Sequence, residues 1–385
     1  AVLVIAGSNS HSSILNFSFF QWFGKISYSL YLWHWPVVCY LQYFGLSENA
    51  LLMTFGILLS IAFAYLSYNY VEVPFNKIKN DKNNQIVPLV VTCSILTIIP
   101  SALGYFIYKN EGFTQRFDGI KRELSDATID WKYPKPNKFL NGSHLRVIGN
   151  SDNKVLFVGD SLVEQYYPWA KNYTETSSTP AEFLFLTDGG CSPIPGSIRP
   201  KTQCNNISNL IDIAEITNAK KVIIGGFWIE YFIQNTHNAY FKVKGETYLT
   251  NSPLGKEIAL NSLNILFTEL ISKGVSVTLV LQTPISKELS PKWHYQNLLK
   301  NSDFNTKSKP VKIDYPGLPA LQELLRNIAA ESGVHVINPF DYLFSNMFCD
   351  FKDDDGRLFY KDRIHFRPFF AIKHVKYLDE IMLDL

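Results

Sequence analysis

The apolar run Val155-Leu156-Phe157-Val158 ends in Gly159-Asp160-Ser161-Leu162. A short, wholly apolar segment stopped by a glycine reads as a buried strand, and it delivers a serine just beyond its carboxyl end. Similar β-branched runs recur at 183–186, 222–224, 275–281 and 334–337. Between them lie stretches of helical period at about 162–173, 206–218, 256–273 and 317–332, and one more follows the last run at about 367–383. Strand, helix and strand at this spacing predict βαβ units. The expected fold over 151–385 is therefore α/β, a five-stranded parallel sheet with helices on both faces in three α/β/α layers. Sites in such sheets lie at the carboxyl ends of strands, which is where Ser161 falls.

A glycine before the serine permits a tight turn that exposes the hydroxyl at the sheet edge, with the N–H at a helix start, a good position for a nucleophile. Alone, the tripeptide reads first as an ordinary helix cap, because Asp and Ser both cap. A second element changes that balance. Tyr360-Lys361-Asp362-Arg363-Ile364-His365-Phe366 stands just before the last helix. A nucleophilic serine needs a base to take its proton, and the base needs a carboxylate to fix its tautomer and stabilise the imidazolium. Ser161, His365 and Asp362 are the predicted nucleophile, base and orienter.

The first 108 residues are a different material. They hold seven charged side chains (Lys25, Glu48, Glu72, Lys77, Lys79, Asp81 and Lys82) and no arginine, whereas the whole chain of 385 residues has 36 Lys+Arg and 34 Asp+Glu. Residues 26–47, 49–71 and 83–108 carry no formal charge. About 20 apolar residues cross a ~30 Å hydrocarbon layer. Spans are expected at about 26–47 and 50–73, within a membrane domain over 1–84, with an additional transmembrane helix at 85–108. Lysines cluster in the loop at about 74–84, and only Glu48 marks the loop before it, so the later loop is expected in the cytoplasm and everything after about 109 outside it. The lipid bilayer is thus an expected partner. Residues 109–150, polar and containing Tyr133-Pro134-Lys135-Pro136, read as a linker from the membrane or an extension packed on the next domain. With no initial Met and no basic signal-peptide region, the chain reads as a fragment whose upstream helices are missing.

His34 and Glu72 are ionisable groups within or at the edge of spans, which makes them functional candidates; helix packing and interfacial anchoring are the alternative. Cys191 and Cys204 flank a Pro/Gly/Ser-rich loop in the part expected outside the cytoplasm, where a disulfide is permitted. Closing that loop would stabilise by roughly 3 kcal/mol. No Cys and His share metal-ligand spacing, so no metal site is expected. A net charge of +2 argues against nucleic acid as a partner.

Gly159-Asp160-Ser161 resembles the first block, and Asp362-x-x-His365 the last, of the SGNH (GDSL-like) hydrolase superfamily. Trp22-Phe-Gly-Lys-Ile-Ser-Tyr-Ser-Leu-Tyr-Leu-Trp-His-Trp-Pro36 is very similar to a late-helix signature of the acyltransferase family 3 membrane domain, and Tyr68-Asn-Tyr-Val-Glu-Val-Pro-Phe75 resembles its next one. Together they resemble the C-terminal part of a bacterial membrane acyltransferase fused to an exported SGNH domain. Such proteins O-acetylate cell-surface polysaccharides, for example lipopolysaccharide O-antigen.

The resemblance implies acetyl-CoA as acyl donor to the complete membrane domain, no cofactor held by this segment, and partnership with the upstream helices of that domain. It implies an acetyl-serine at Ser161, transfer to a hydroxyl of a surface glycan, and a domain in the periplasm tethered to the inner membrane. The superfamily also draws oxyanion donors from a Gly in its second block and an Asn in its third. Here Thr187-Asp188-Gly189-Gly190-Cys191 offers Gly190 (or Gly189) beside the N–H of Ser161. Gly225-Gly226-Phe227-Trp228 has no Asn, leaving the Trp228 indole as an oxyanion donor or as an aromatic wall of the acceptor site. Three readings follow: acyl transfer to an extracytoplasmic glycan, a membrane-tethered carbohydrate esterase using the same triad, and a non-catalytic glycan-binding module. The acyltransferase-like spans favour the first.

Overall fold

The computed structural model describes residues 17–47, 49–74, 86–110, 112–113, 119–200, 204, 207–300, 310–313, 315–343 and 348–382; Glu48 and most of the loop expected in the cytoplasm lie outside these. The chain divides into two compact units, 1–116 with 296–304, and 117–295 with 305–385.

In the first unit, α1 (Ser18–Tyr43) packs on α2 (Ala50–Ser67), which runs on through a π turn at Tyr68–Glu72. The sequence explains the pairing. Gly56, Ser60 and Ala64 recur at every fourth position and form the buried face of α2. A Cβ on Gly56 would lie 2.7 Å from Leu41 Cδ1 of α1, so a larger residue there requires the Leu41 side chain to move. Asn49 caps α2 by accepting from the N–H of Leu51 at 3.0 Å. Leu51, Phe55, Ile57 and Leu58 are exposed. Among the described residues one helix, Ala50–Glu72, with a mean hydropathy of 2.0, is long and apolar enough to cross a membrane. The other two expected spans overlap α1 and α3 (Ile86–Lys109), but among the described residues neither adds to that one.

The second unit opens with α4 (Gly119–Ile129), β1 (Lys138–Leu140), β2 (Ser143–Ile148) and β3 (Lys154–Gly159). After β3 come α5 (Ser161–Glu164), α6 (Tyr167–Thr176), β4 (Glu182–Thr187), α7 (Leu210–Thr217) and β5 (Lys221–Ile224). A hairpin of β6 (Tyr240–Val243) and β7 (Glu246–Leu249) precedes α8 (Pro253–Ser272) and β8 (Ser276–Val280). Then follow β9 (Val311–Lys312), α9 (Leu318–Glu331), β10 (His335–Ile337), β11 (Phe348–Cys349), α10 (Pro368–His374) and α11 (Tyr377–Ile381). Among the described residues one sheet of seven strands runs β1-β2-β4-β3-β5-β8-β10. Its five parallel strands, from β4 to β10, are the five apolar runs of the sequence.

Two antiparallel strands extend this sheet beyond the expected five, because residues 138–148, read as linker or extension, pair onto β4. Both strands are short and largely half-exposed, which kept their apolar signal weak. The stretch predicted as one helix at 162–173 is broken into α5 and α6 around Gln165 and Tyr166.

β3 is the pivot of the sheet. The chain passes from β3 to β4 on one side and then to β5 on the other, so a crevice opens at the carboxyl ends where the crossovers part. The strand alternation sends aromatic residues one way, with Phe157 stacked on Phe185 at 4.8 Å and Trp169 against both Phe157 and Phe183. Leu156, Val158 and Val222 pack the other way in one cluster with Leu263 and Phe267 of α8. A rigid platform beneath the crevice results.

Candidate active site

The turn after β3 is fixed by its own sequence. A Cβ on Gly159 would lie 2.1 Å from the carbonyl oxygen of Gly225, so β3 and the loop after β5 meet only because residue 159 lacks a side chain. Asp160 is buried, and it does more than cap. Its Oδ1 accepts from the N–H of Leu162 at 2.8 Å, and its Oδ2 accepts from the N–H of Phe227 at 2.8 Å and from the Tyr231 hydroxyl. It therefore ties the turn carrying Ser161 to the loop after β5. Burial raises the pKa of this carboxyl, against the three hydrogen bonds that favour its ionised form.

The second predicted element arrives at the same edge. His365 Nε2 lies 2.8 Å from Ser161 Oγ, and His365 Nδ1 lies 2.8 Å from Asp362 Oδ2. Asp362 Oδ1 accepts from the N–H groups of Ile364 and His365, each at 2.9 Å. One carboxylate thus shapes its own turn with one oxygen and orients the imidazole with the other. Burial pushes the Asp362 pKa up, but the hydrogen bonds and charge of His365, with the two backbone donors, outweigh it and hold the carboxyl below its ordinary value.

Residues that the sequence did not single out hold this arrangement in place. Gln165, one turn after Ser161, accepts from the N–H of Phe366 at 2.8 Å, so the serine and histidine segments are joined directly. Arg367, two residues past His365, is buried between Glu123 and Asp130 and donates from Nε to Asp130 Oδ2 at 2.9 Å. Glu123 also accepts from the N–H of Leu358 at 2.8 Å. Trp131 then stands edge-on to His365, with ring centroids 5.1 Å apart, and the Lys361 ammonium lies 4.8 Å over its indole. The segment 119–137 is an integral wall of the site. Glu164, buried beside it, accepts from Thr187 Oγ1 at 3.3 Å, and burial raises its pKa despite the nearby Arg146.

The expected oxyanion donors fare differently. Gly190 lies in the turn after β4, and the N–H of Asp188 in that turn donates to Gly159 O at 3.2 Å, which joins the turn to the end of β3. Among the described residues no backbone carbonyl outside the regular helices and strands accepts from the N–H of Ser161 or of Gly190. Trp228 requires a correction. Its side chain is fully buried and its indole N–H donates to Val280 O at 2.9 Å, so it is neither an oxyanion donor nor a wall open to an acceptor. An indole this large at the crevice floor is drawn into the core, where a strand-end carbonyl satisfies its one donor. A disulfide joins Cys191 to Cys204, with Cα atoms 5.6 Å apart, directly after Gly190.

The membrane-domain candidates lie in the first unit. Ser29, buried on α1, donates to Glu72 Oε2 at 3.1 Å, which fastens the π turn to α1. His34 lines a cleft of about 890 Å³ with Ser27, Tyr31 and Ser60, and its Nδ1 is 3.3 Å from Leu30 O. Among the described residues no His, Cys, Asp and Glu side chains are grouped as metal ligands would be.

A family model described as the SGNH domain fused to AT3 domains matches residues 132–376, which contain Ser161, Asp362 and His365. The chain belongs to this family. Similar curated proteins include two from Staphylococcus aureus, strains MRSA252 and COL, each named "Putative O-acetyltransferase". Both are 28% identical over 156 residues, 36% of this chain and 26% of the relative. The SGNH chain thus spans about a quarter of the length of the curated relatives it matches. A similar solved structure is the periplasmic domain of the Salmonella ser. Paratyphi A lipopolysaccharide acetyltransferase, with 13% identity and a TM-score of 0.47, covering 72% of this chain and 96% of that one. Another is a carbohydrate acetylesterase from Sinorhizobium meliloti, with 13% identity and a TM-score of 0.35, covering 60% of this chain and all of that one.

Proposed function

We propose that this chain is part of an O-acyltransferase that moves an acetyl group, through an acyl-serine on Ser161, to a hydroxyl of a cell-surface polysaccharide such as lipopolysaccharide O-antigen. The observation that carries the reading is the unbroken chain from Ser161 Oγ through His365 to Asp362, with both links at 2.8 Å. Membership of a family in which the SGNH domain is fused to AT3 domains, and relatives named for O-acetyl transfer, support transfer over hydrolysis. In this reading the first unit belongs to a membrane domain that receives acetyl from acetyl-CoA, and the second faces the periplasm.

Ser161 Oγ attacks the acetyl carbonyl carbon as its proton passes to His365 Nε2. The departing group takes that proton as its bond to the acetyl carbon breaks. A glycan hydroxyl then gives its proton to Nε2 and attacks the acyl-serine, and Ser161 Oγ leaves with the proton returned by His365. Asp362 stabilises the imidazolium in both steps. The N–H groups of Ser161 and Gly190 supply the hydrogen bonds to the oxyanion.

Mass spectrometry of surface glycans tests the assignment in cells producing the full-length protein. Ser161→Ala and His365→Ala each abolish O-acetylation while the protein level stays unchanged. Normal acetylation in both variants overturns the enzymatic reading. Release of free acetate at the same rate with and without acceptor sugar, with no acetylated sugar formed, assigns the site to an esterase instead.

A further inference from the structure

A cleft of about 530 Å³ lies against the site, and the reaction described above does not use it. We propose that it is a second saccharide subsite, holding a sugar next to the one acetylated, so that the enzyme selects polymeric over monomeric acceptors. The inference rests on the transferase reading. Its volume falls within the roughly 300–1,000 Å³ of ordinary ligand sites.

Position argues for this first. Trp131 lines the cleft and also stands 5.1 Å from His365, ring to ring, so it is the wall between the cleft and the reacting histidine. Tyr167 opens the helix that follows the Ser161 turn, and Pro368, also in the lining, is three residues beyond His365. A ligand in this cleft is therefore a neighbour of the reacting group rather than the reacting group itself.

The chemistry of the walls selects the ligand. Trp131, Tyr133 and Tyr167 present aromatic surface, and Lys171, Asn172 and Glu175 present donors and an acceptor. A pyranose ring matches this combination, because its C–H faces pack on aromatic rings while its hydroxyls seek polar partners at the edge. An acyl chain would leave the polar groups unpaired. Lys171 reaches Glu175 at 3.8 Å, and Lys132 stands in the same lining as a further donor. The walls are also pre-organised. Tyr133 packs edge-on against Tyr167 at 5.6 Å, the Arg146 guanidinium lies 4.3 Å over its ring, and its hydroxyl contacts Thr187. Little ordering entropy is then lost on binding.

Binding energy from a sugar remote from the reacting hydroxyl raises the specificity constant for long acceptors. The test uses the full-length protein in nanodiscs, 4-nitrophenyl acetate as donor, and de-O-acetylated surface polysaccharide of the producing cell cut to one repeat and to several. Wild type has a higher kcat/KM for the longer piece. Tyr167→Ala and Lys171→Glu each lower that value about three- to ten-fold, toward that of the single repeat. Lys171 is an exposed helix position, so its variant reports even where Tyr167→Ala fails to fold. Retention of the length preference in Lys171→Glu and in a folded Tyr167→Ala overturns the subsite while transfer still depends on Ser161. A changed preference between acetyl and butyryl donors overturns it too, by assigning the cleft to the acyl chain. Transfer that survives Ser161→Ala refutes the parent reading instead.

Discussion

Replacing Asp362 by Asn removes one charge and almost no volume. In the native turn Oδ1 accepts from the N–H groups of Ile364 and His365 at 2.9 Å, so the variant's amide oxygen is drawn to that side. The amide NH2 then faces His365 Nδ1, where Oδ2 stood at 2.8 Å. A donor there obliges Nδ1 to accept, which moves the imidazole proton to Nε2, the nitrogen 2.8 Å from Ser161 Oγ. The base is then protonated where it must take a proton, and the imidazolium loses its counter-charge. A serine triad altered in this way loses about 10⁴ in kcat, or about 5.4 kcal/mol at 1.36 kcal/mol per tenfold. Hydrolysis of 4-nitrophenyl acetate by the full-length protein, with kcat and KM determined separately at pH 7, reads the effect. A kcat within tenfold of wild type refutes the orienting role of Asp362.

The same carboxyl gives a pH signature. Its pKa is lower in the folded state than unfolded, so its stabilisation is complete above the unfolded value near 3.9 and is lost as pH falls through the folded one. The difference in Tm between wild type and Asp362→Asn therefore shrinks between pH 5 and pH 2, and a constant difference contradicts the shift. Arg367→Ala strands Glu123 and Asp130 without their partner and costs about 3–5 kcal/mol, read as a lower denaturation midpoint. Trp228→Phe leaves the Val280 carbonyl unpaired and costs about 1–3 kcal/mol of stability with kcat unchanged. A fall of about 10² in kcat at full stability would restore Trp228 as an oxyanion donor.

The parallel part of the sheet was legible because buried strands must be apolar on both faces, and Val155–Val158 or Phe183–Leu186 leave little else to read. The grouping of Ser161, His365 and Asp362 was legible because the chemistry proposed for it calls for those residue types and a local turn supplies the Asp–His spacing. Other features depend on contacts far apart in sequence. That Asp160 is a cross-link rather than a cap only is decided by Phe227 and Tyr231, about seventy residues away. The place of Trp131 and Arg367 depends on Glu123 of α4 and on Asp130 just beyond it, carboxylates that look like ordinary surface groups until Arg367 is set between them. Trp228 misled because a tryptophan at a strand end offers the same donor to a carbonyl of the core as to a substrate.

Ser161 and His365 stand 204 residues apart in the chain yet within one hydrogen bond of each other. On a ribosome, the hydroxyl therefore emerges long before the imidazole that could activate it. Until the segment carrying His365 docks through Phe366 and Arg367, Ser161 has no base within reach. A product clipped before residue 365 would therefore hold its serine without that imidazole.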